Sequence, residues 1–170
     1  MKKPTLYIIS GLSFAGKTYL CNILVKKFGY ETVDVDVTKE NMYGKGLKDD
    51  DLTHEQWVNI YDATDKQIEK YLKDGKSVLD ASRNFRKSER INAKNIAERS
   101  GTGFIIIYVK TPEDVVRQRW VENRKKQTRH DVEDNNFEEI INFFEPPSFD
   151  ENPVILNHGD DIEKWIKDNL

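Results

Sequence analysis

The sequence has a single cysteine, Cys21, and only three histidines, so the residues that most often build disulfides and zinc sites are scarce. One cysteine cannot form an internal disulfide, which is typical of proteins in a reducing compartment. We expect Cys21 to be a buried, unreactive thiol rather than a nucleophile. His54, His130 and His158 are scattered without the spacing of metal ligands, so neither a zinc site nor a histidine-based triad is predicted.

The sequence also lacks long apolar stretches, since none approaches the roughly 20 apolar residues of a membrane-spanning helix. Two lysines and Pro4 follow the first methionine at once, which is not the pattern of a secretory signal peptide. We therefore expect a cytoplasmic protein without a membrane partner. The net charge of −3 argues against broad, non-specific binding to nucleic acid. A length of 170 residues without internal repeats predicts one domain over 1–170.

One segment fits a phosphate-binding motif in full, and its sequence is Gly11-Leu12-Ser13-Phe14-Ala15-Gly16-Lys17-Thr18. In G-x-x-x-x-G-K-[ST] loops the backbone N–H groups surround phosphates, the lysine reaches the β- and γ-phosphates, and the hydroxyl ligates Mg²⁺. Residues 6–9 predict a buried strand and 19–28 an amphipathic helix, which is the context that the motif requires. A glycine-containing turn is the alternative. We predict ATP and Mg²⁺ as cofactors, and as nucleotide-binding residues Gly11, Ser13, Phe14, Ala15, Gly16, Lys17, Thr18 and Tyr19.

Strand-like and helix-like segments alternate along the rest of the chain, which is typical of an α/β domain with a parallel sheet. The predicted strands are 6–9, 31–36, 77–80, 104–109 and 154–156. The predicted helices run from the N-cap Thr53 to residue 74, over 88–100, from Pro112 to about Lys126, over 137–144 and after the cap Asp160. The polar stretch 38–52 is expected to be a mobile insertion. Ligand sites in such a domain gather at the carboxyl ends of the strands.

Acidic residues end two of the predicted strands. Asp80 follows the third strand, where P-loop proteins place a carboxylate near Mg²⁺, so we predict that it holds the metal directly or through water. Asp36 would end the second strand at the same edge, where a carboxylate can accept the proton of an attacking hydroxyl or hold a metal-bound water. Asp34 is the alternative base. An isolated acid at such a position can also be a surface residue or a helix cap.

Basic residues are concentrated on the helix after Pro112 and in the loop beyond it, namely Arg117, Arg119, Arg124, Lys125, Lys126 and Arg129. Arginine donors stabilise the charge on γ-phosphate oxygens during phosphoryl transfer. Arg119 is therefore predicted as a catalytic and nucleotide-binding residue and Arg124 as a second nucleotide contact. The polar residues 127–135 are expected to be mobile. A solvated helix face paired with nearby acids is the alternative, above all for Arg117, Lys125 and Lys126.

A further basic set follows Asp80 directly and consists of Arg83, Arg86, Lys87 and Arg90. Residues just after a parallel strand lie at the edge of the site, so this set is a candidate for holding the phosphate acceptor. We predict Arg83, Arg86 and Asp36 as acceptor-binding residues. A charged loop without a binding role is the alternative.

With these residues in view, the chain resembles the small P-loop kinases, a group that contains polynucleotide 5′-hydroxyl kinases, zeta toxins and chloramphenicol phosphotransferase. The resemblance is carried by residues 11–18, 35–39, 78–82 with Arg90, 111–113 leading to Arg119 and Arg124, and 144–147 with Glu151. It implies a three-layer P-loop fold with a parallel five-stranded sheet in the order 2-3-1-4-5 and a mobile helical lid, which would span about 117–135. It also implies Asp36 as general base, Lys17 and Thr18 as contacts to ATP and Mg²⁺, and lid arginines over the phosphates.

Three positions depart from the pattern of that group. Phe14 stands where glycine is usual, Lys39 where an arginine often follows the catalytic acid, and Ser82 where asparagine is frequent. The last two bear on the acceptor rather than on ATP. We expect Phe14 to be a candidate contact to the acceptor.

The sequence thus predicts a kinase that transfers the γ-phosphate of ATP to a hydroxyl group, with Asp36, Lys17 and Arg119 as catalytic residues. The acceptor is left open between a nucleic-acid 5′ end, a nucleoside, a sugar and an antibiotic, and the acidic net charge favours a small molecule or a short end. An ATPase or switch protein without an acceptor is the alternative. The sequence lacks an N-K-x-D-like guanine reader and predicts no particular oligomeric state.

Overall fold

The computed structural model describes residues 3–82, 84–126 and 134–170, and a parallel sheet forms its centre. The strands are β1 (Thr5–Ser10), β2 (Glu31–Val33), β3 (Val78–Asp80), β4 (Gly103–Lys110) and β5 (Val154–Asn157). They pair in the order β2-β3-β1-β4-β5, and each neighbouring pair is parallel. The predicted strand order and the P-loop kinase fold class are thereby confirmed.

Seven α-helices lie in the described residues: α1 (Lys17–Phe28), α2 (Val35–Tyr43), α3 (His54–Lys73), α4 (Lys87–Arg99), α5 (Glu113–Lys126), α6 (Asp134–Phe143) and α7 (Ile162–Asn169). Two helix ends follow the signals in the sequence. Thr53 caps α3 and exchanges capping-box hydrogen bonds with Gln56. Gly29 ends α1 with φ 68°, in the left-handed region that glycine adopts readily.

Helices cover both faces of the sheet, and each face buries its own apolar cluster. On one face Ile9 of β1 packs with Leu24 of α1 and Phe137 of α6. On the other face Ile8 packs with Ile68 of α3. Successive side chains of a strand point to opposite faces, so the central strand β1 contributes to both clusters. This burial fixes the carboxyl end of β1, where the phosphate-binding motif begins.

The predicted strand over 31–36 is wrong in its second half. β2 ends at Val33, and the Asp34 carboxylate accepts a hydrogen bond of 2.8 Å from the N–H of Asp36. A side chain that satisfies a free N–H of the first turn favours a helix start, and α2 begins at Val35. Asp36 therefore lies in the first turn of α2 rather than at a strand end. The predicted insertion is also partly corrected, because its residues up to Tyr43 are helical.

Two further expectations concern the second half of the chain. Asp161, and not the predicted Asp160, caps α7, because its carboxylate accepts the N–H of Lys164. The expected lid 117–135 begins within α5, and its segment 127–133 lies outside the described residues. The single domain and the lid stay predictions.

Among the helices of the described residues, none combines the length and the apolar character needed to cross a membrane.

Candidate functional site

The phosphate loop connects β1 to α1, and two of its glycines are required by its shape. At Gly11, with φ 151°, a Cβ atom would lie 2.7 Å from the carbonyl oxygen of Val109 on the neighbouring strand. Gly16, with φ 111°, directly precedes α1 in the left-handed region. The carbonyl of the buried Ala15 accepts a 2.8 Å hydrogen bond from the Thr111 hydroxyl. The motif thus forms a strand–loop–helix turn at a helix N-terminus, which is where phosphate groups are favoured.

Lys17 is folded back over this loop. Its Nζ donates to the carbonyl oxygens of Gly11 at 2.8 Å and Leu12 at 2.9 Å. The ammonium also lies 5.2 Å from the centre of the Phe85 ring. Because burial removes the ammonium from water, the pKa of Lys17 falls from its usual 10.5 to about 8. The cation is therefore held at the loop by neutral carbonyl oxygens, which phosphate oxygens can replace.

Arg119 extends from α5 to the same loop. Its Nη1 donates to the carbonyl oxygens of Phe14 at 3.1 Å and Ala15 at 3.3 Å. The same nitrogen would be 4.0 Å from a Cβ atom placed on Gly16. The structure thus brings together two of the predicted catalytic residues, Lys17 and Arg119, on one loop although they come from separate helices.

Two further arginines of α5, Arg117 and Arg124, have different surroundings. Arg117 forms ion pairs with Glu113 on its own helix and with Glu138 on α6. It belongs to a charged helix surface, as the alternative interpretation states. The Arg124 guanidinium lies over the Trp120 ring, 4.5 Å from its centre. Its predicted contact with the nucleotide stays a prediction.

Asp80 ends β3 beside the phosphate loop and is only 1% exposed. It pairs in register with Ile8 of β1, and its Oδ1 accepts from the backbone N–H of Ser82 at 3.1 Å and from the Ser82 hydroxyl at 2.8 Å. Mg²⁺ at nucleotide sites is usually held by one or two protein groups together with phosphate oxygens and water. The buried carboxylate and the exposed Thr18 hydroxyl at the start of α1 fit such a sparse set. Within the described part of the chain, no group of three His, Cys, Asp or Glu side chains could hold a metal ion.

The two candidate bases differ in their contacts. The Asp36 side chain is 75% exposed, and its Oδ1 lies 3.5 Å from the Nζ of Lys39. Lys39 also donates to Asp49 at 2.8 Å. Asp34 caps α2, and desolvation is the main cause that raises its pKa, although the hydrogen bond from the N–H of Asp36 opposes the shift. Both residues are exposed, but the Asp34 carboxylate caps the helix, whereas the Asp36 carboxylate faces the Lys39 ammonium.

Cys21 in α1 shows how charged groups surround this part of the fold. Burial raises the pKa of the thiol to about 12, and the negative charges of Asp80 and Asp34 add to the rise, while Lys17 opposes it. A thiol with this pKa is not a nucleophile at neutral pH, as predicted. The pKa of Cys21 therefore responds to the charges of Asp80, Asp34 and Lys17 as well as to burial.

Phe14 has a backbone conformation that explains why glycine is usual at its position. Its φ is 64°, in the left-handed region that residues with a side chain rarely adopt. Its ring packs against Phe137 of α6, with 6.2 Å between the ring centres. Phe14 thus packs on α6 and also lines the cavity beside the phosphate loop, and its predicted contact with the acceptor stays a prediction.

A cavity of about 530 Å³ opens beside the phosphate loop. The loop, α5, the ends of β4 and β5 and the residues after β5 form its walls, which include Tyr19, Arg119, Asn123, Leu156 and His158. Its volume falls in the range of small-molecule pockets, and one wall is the phosphate loop itself. This cavity is the candidate nucleoside pocket, and the predicted contact Tyr19 lies in its wall.

The basic set after β3 contains two residues with a structural role. Arg90 is buried and forms a two-pronged ion pair with Glu151, with distances of 2.7 and 2.9 Å. It also donates to the carbonyl of Glu145 at 2.9 Å. Lys87 pairs with Asp150 at 2.7 Å. These charges tie α4 to the chain after α6, so Arg90 and Lys87 are not the acceptor-binding residues that their position suggested.

The remaining two members of the set keep their predicted role as an expectation. Arg86 is exposed at the start of α4, and its guanidinium lies 4.8 Å from the centre of the Phe143 ring. Arg83 lies outside the described residues.

Sequence reasoning missed two residues that line the site. Phe85 covers the Lys17 ammonium, and Asn84, with φ 99°, is buried beside it. The Asn84 carbonyl accepts a 2.8 Å hydrogen bond from the hydroxyl of Ser10, the last residue of β1. Their position directly after β3 was the only available signal, because neither residue type by itself indicates phosphate chemistry.

Several solved structures of low sequence identity have the same fold. Kti12 of Chaetomium thermophilum, solved with ADP-AlF3, has a TM-score of 0.72 and 18% identity, with 95% of this chain and 94% of that chain covered. APS kinase of Mycobacterium tuberculosis, solved with AMPPNP and APS, has a TM-score of 0.66 and 14% identity, with 99% and 96% covered. A sugar kinase from a Janibacter species has a TM-score of 0.67 and 17% identity, with 97% and 91% covered.

Identities this low establish the fold alone. No curated protein sequence matches the chain. A family model described as an AAA domain matches residues 6–147, a range that holds the phosphate loop and Asp36, Asp80 and Arg119. Because this match covers most of the chain, the chain belongs to the AAA domain family. Its fold is that of the small P-loop kinases.

Proposed function

We propose that this protein is a kinase that uses ATP and Mg²⁺ to transfer the γ-phosphoryl group to a hydroxyl group. The observation that carries the proposal is the convergence of two cations on one phosphate loop. Lys17 donates to carbonyl oxygens at the start of the loop, and Arg119 donates to carbonyl oxygens near its end. Cations from separate elements can neutralise opposite sides of a transferring phosphoryl group, which is the main task in phosphoryl transfer.

ATP would bind with its phosphates at the N–H groups that precede α1 and with its nucleoside in the 530 Å³ cavity. The complexes of Kti12 with ADP-AlF3 and of APS kinase with AMPPNP support nucleotide binding by this fold. Thr18 and Asp80 would hold Mg²⁺, which when bound neutralises charge on the β- and γ-phosphates and aligns them.

In the proposed reaction, the acceptor hydroxyl oxygen forms a bond to the γ-phosphorus while the bond from that phosphorus to the β,γ-bridging oxygen breaks. The hydroxyl proton passes to the Asp36 carboxylate, and ADP and the phosphorylated acceptor are the products. The exposure of Asp36 supports this role because an acceptor can approach it. Asp34 is the alternative base, although one of its oxygens already accepts the N–H of Asp36.

The acceptor is a hydroxyl-bearing small molecule or a nucleic-acid 5′ end. The names of the sugar kinase and of APS kinase indicate that this fold can serve small-molecule acceptors. Arg86 is exposed beside the residues that follow β3 and is, with Arg83, the candidate contact to an anionic part of the acceptor.

An ATPase or switch protein without an acceptor is the alternative, and the description of the matching family as an AAA domain favours it. A transfer assay separates the two. The protein is incubated with Mg²⁺, ATP labelled at the γ-phosphate and pooled sugars, nucleosides, antibiotics and 5′-hydroxyl oligonucleotides. Label in an acceptor with the wild type, and none with Lys17→Ala, supports the kinase. Label found only in inorganic phosphate would favour the ATPase, and unconsumed ATP would contradict both.

A further inference from the structure

We infer that Phe14 is a positioning residue, whose ring contact with α6 fixes the phosphate loop in the conformation that holds Arg119 over it. The inference rests on the proposed function, in which Arg119 acts on the phosphates. A side chain at φ 64° is unfavourable, and glycine would adopt this conformation without strain. Contacts of the ring must therefore compensate for the backbone conformation.

The ring of Phe14 finds such contacts in an aromatic stack. Phe137 is fully buried, and its ring is tilted by 60° from that of Phe14 at 6.2 Å, a favourable geometry for two aromatic rings. On Phe137 the Trp120 ring stacks almost parallel, with 4.3 Å between centres and 3° between planes. The stack thus joins the phosphate loop to α6 and α6 to α5.

The backbone of Phe14 is joined to α5 a second time. Its carbonyl accepts the 3.1 Å hydrogen bond from Arg119, and Arg119 directly precedes Trp120 in the chain. One turn of α5 therefore carries both the guanidinium that contacts the loop and the ring that rests on Phe137. The torsion angles of Phe14 set the direction of that carbonyl, so the ring contact and the position of Arg119 depend on each other.

The chain at the other end of α6 is held beside Lys17. Phe144, which follows α6, packs edge-on against Phe85 at 6.4 Å, and the Lys17 ammonium lies 5.2 Å from the Phe85 ring. Phe137 of α6 thus contacts the residue that binds Arg119, and Phe144 contacts the ring that lies over Lys17. A helix held at two points can keep the loop in one conformation, provided that the Phe14 contact is present.

The test is a cycle of four proteins: the wild type, Phe14→Gly, Arg119→Ala and the double variant. The affinity for AMPPNP with Mg²⁺ is measured by calorimetry. Loss of one charge-assisted contact is expected to weaken binding about tenfold. If Phe14 positions Arg119, Phe14→Gly should also bind AMPPNP about tenfold more weakly than the wild type. The double variant should then lose no more than about tenfold in affinity, because Arg119 is already misplaced when the Phe14 ring is absent. Phe14→Tyr, which keeps the ring, should bind as the wild type does.

Two matched controls separate positioning from stability. Phe149→Ala removes a ring that is 98% exposed and should leave binding unchanged. Leu24→Ala removes a fully buried side chain of the same cluster and should lower the unfolding midpoint without changing the Arg119 effect. Phe137→Leu removes only the partner ring and should reproduce the loss seen with Phe14→Gly.

A hundredfold loss in the double variant, the product of two independent effects, would overturn the inference and leave the kinase proposal intact. The same holds if Phe14→Gly binds as tightly as the wild type. A wild type that does not bind AMPPNP would instead overturn the proposed function, and the inference with it.

Discussion

Lys17 and Asp36 are the two charged groups on which the proposed transfer depends, and their surroundings are opposite. Lys17 is removed from water and held by two carbonyl oxygens and an aromatic ring. Asp36 is three-quarters exposed in the first turn of α2, and its described ion-pair partner, Lys39, is 3.5 Å away. The proposed nucleotide half of the site, residues 11–18 with Arg119, is thus assembled by internal contacts, whereas Asp36, in the proposed acceptor half, is exposed.

This difference has a physical origin. A cation that receives phosphate must be presented where little water competes for it, since a low local dielectric strengthens the attraction. A base for a hydroxyl has to be reachable by a separate molecule, so its carboxylate remains exposed until the acceptor binds. Variants of the two halves should therefore fail in different ways.

The largest effect is expected for Lys17→Ala. Without the ammonium the γ-phosphate loses the charge at the start of the loop, and transfer should fall by a factor on the order of a thousand or more, together with weaker ATP binding. Labelled-phosphate transfer and calorimetric ATP binding measure the two quantities. Full activity in this variant would refute the assignment of the phosphate loop.

Glu151→Ala tests the buried ion pair between Arg90 of α4 and Glu151, in the chain after α6. Arg90 and Glu151 are only 1% and 9% exposed, so removal of the acid leaves a buried, unpaired guanidinium. Such losses cost about 3–5 kcal/mol of unfolding free energy. Urea denaturation measures the change, and Asp150→Ala, which removes an exposed partner, is the matched control. Equal, small effects of both variants would show that Arg90 has no structural role.

Asp36→Asn should reduce turnover by roughly a hundredfold while ATP binding is retained, because only proton transfer from the acceptor is lost. Asp34→Asn is the matched variant on the same helix start. If Asp34→Asn instead removes turnover and Asp36→Asn does not, the base is Asp34, and the exposed half of the site has a different role.

The smallest effect is expected for Lys17→Met, and it concerns the free energy of unfolding. The folded pKa of Lys17 lies below the unfolded value, so the unfolded chain binds more protons between about pH 8 and 10.5, and wild-type stability should rise with pH across that window. Below pH 8 the full cost of burying the charge is present, on the order of 3 kcal/mol, partly offset by two hydrogen bonds of about 1 kcal/mol each.

Replacing Lys17 by an apolar residue should therefore stabilise the fold by about 1–2 kcal/mol at pH 7, and the gain should disappear by pH 10.5. Urea denaturation at several pH values checks this. Lys66→Met, which changes a lysine that is 77% exposed, serves as control. A gain that does not depend on pH would contradict the lowered pKa of Lys17.

The parts of the site that sequence could predict are those fixed by neighbouring residues. Gly11, Gly16 and Lys17 belong to one loop whose conformation follows from glycine torsions and a helix start within eight positions. Thr53 and Gln56 set their helix end in the same local way. The error at Asp36 also has a local origin. Alternation of valine and aspartate indicates a strand, but the capping hydrogen bond that the N–H of Asp36 donates to the Asp34 carboxylate favours a helix start.

The contacts of each basic side chain could not be predicted from neighbouring residues. Arg90, Arg117 and Arg119 are equally basic in the sequence, yet one is buried against Glu151, one pairs with Glu138 at the surface, and one contacts the phosphate loop. Their partners lie 61, 21 and 105 positions away in the chain. Spacing along one helix carries no information about such partners.

The sequence by itself therefore determined that this protein has a phosphate loop, an α/β fold of the P-loop kinase kind and acids near that loop, because each depends on short-range torsions, caps and periodicity. Only the tertiary structure decided which cations contact the loop, that Asp36 lies in the first turn of a helix and where the Phe14 ring packs. These outcomes depend on contacts between distant segments, whose energies are set by burial and by the distance between charges once the sheet has brought them together.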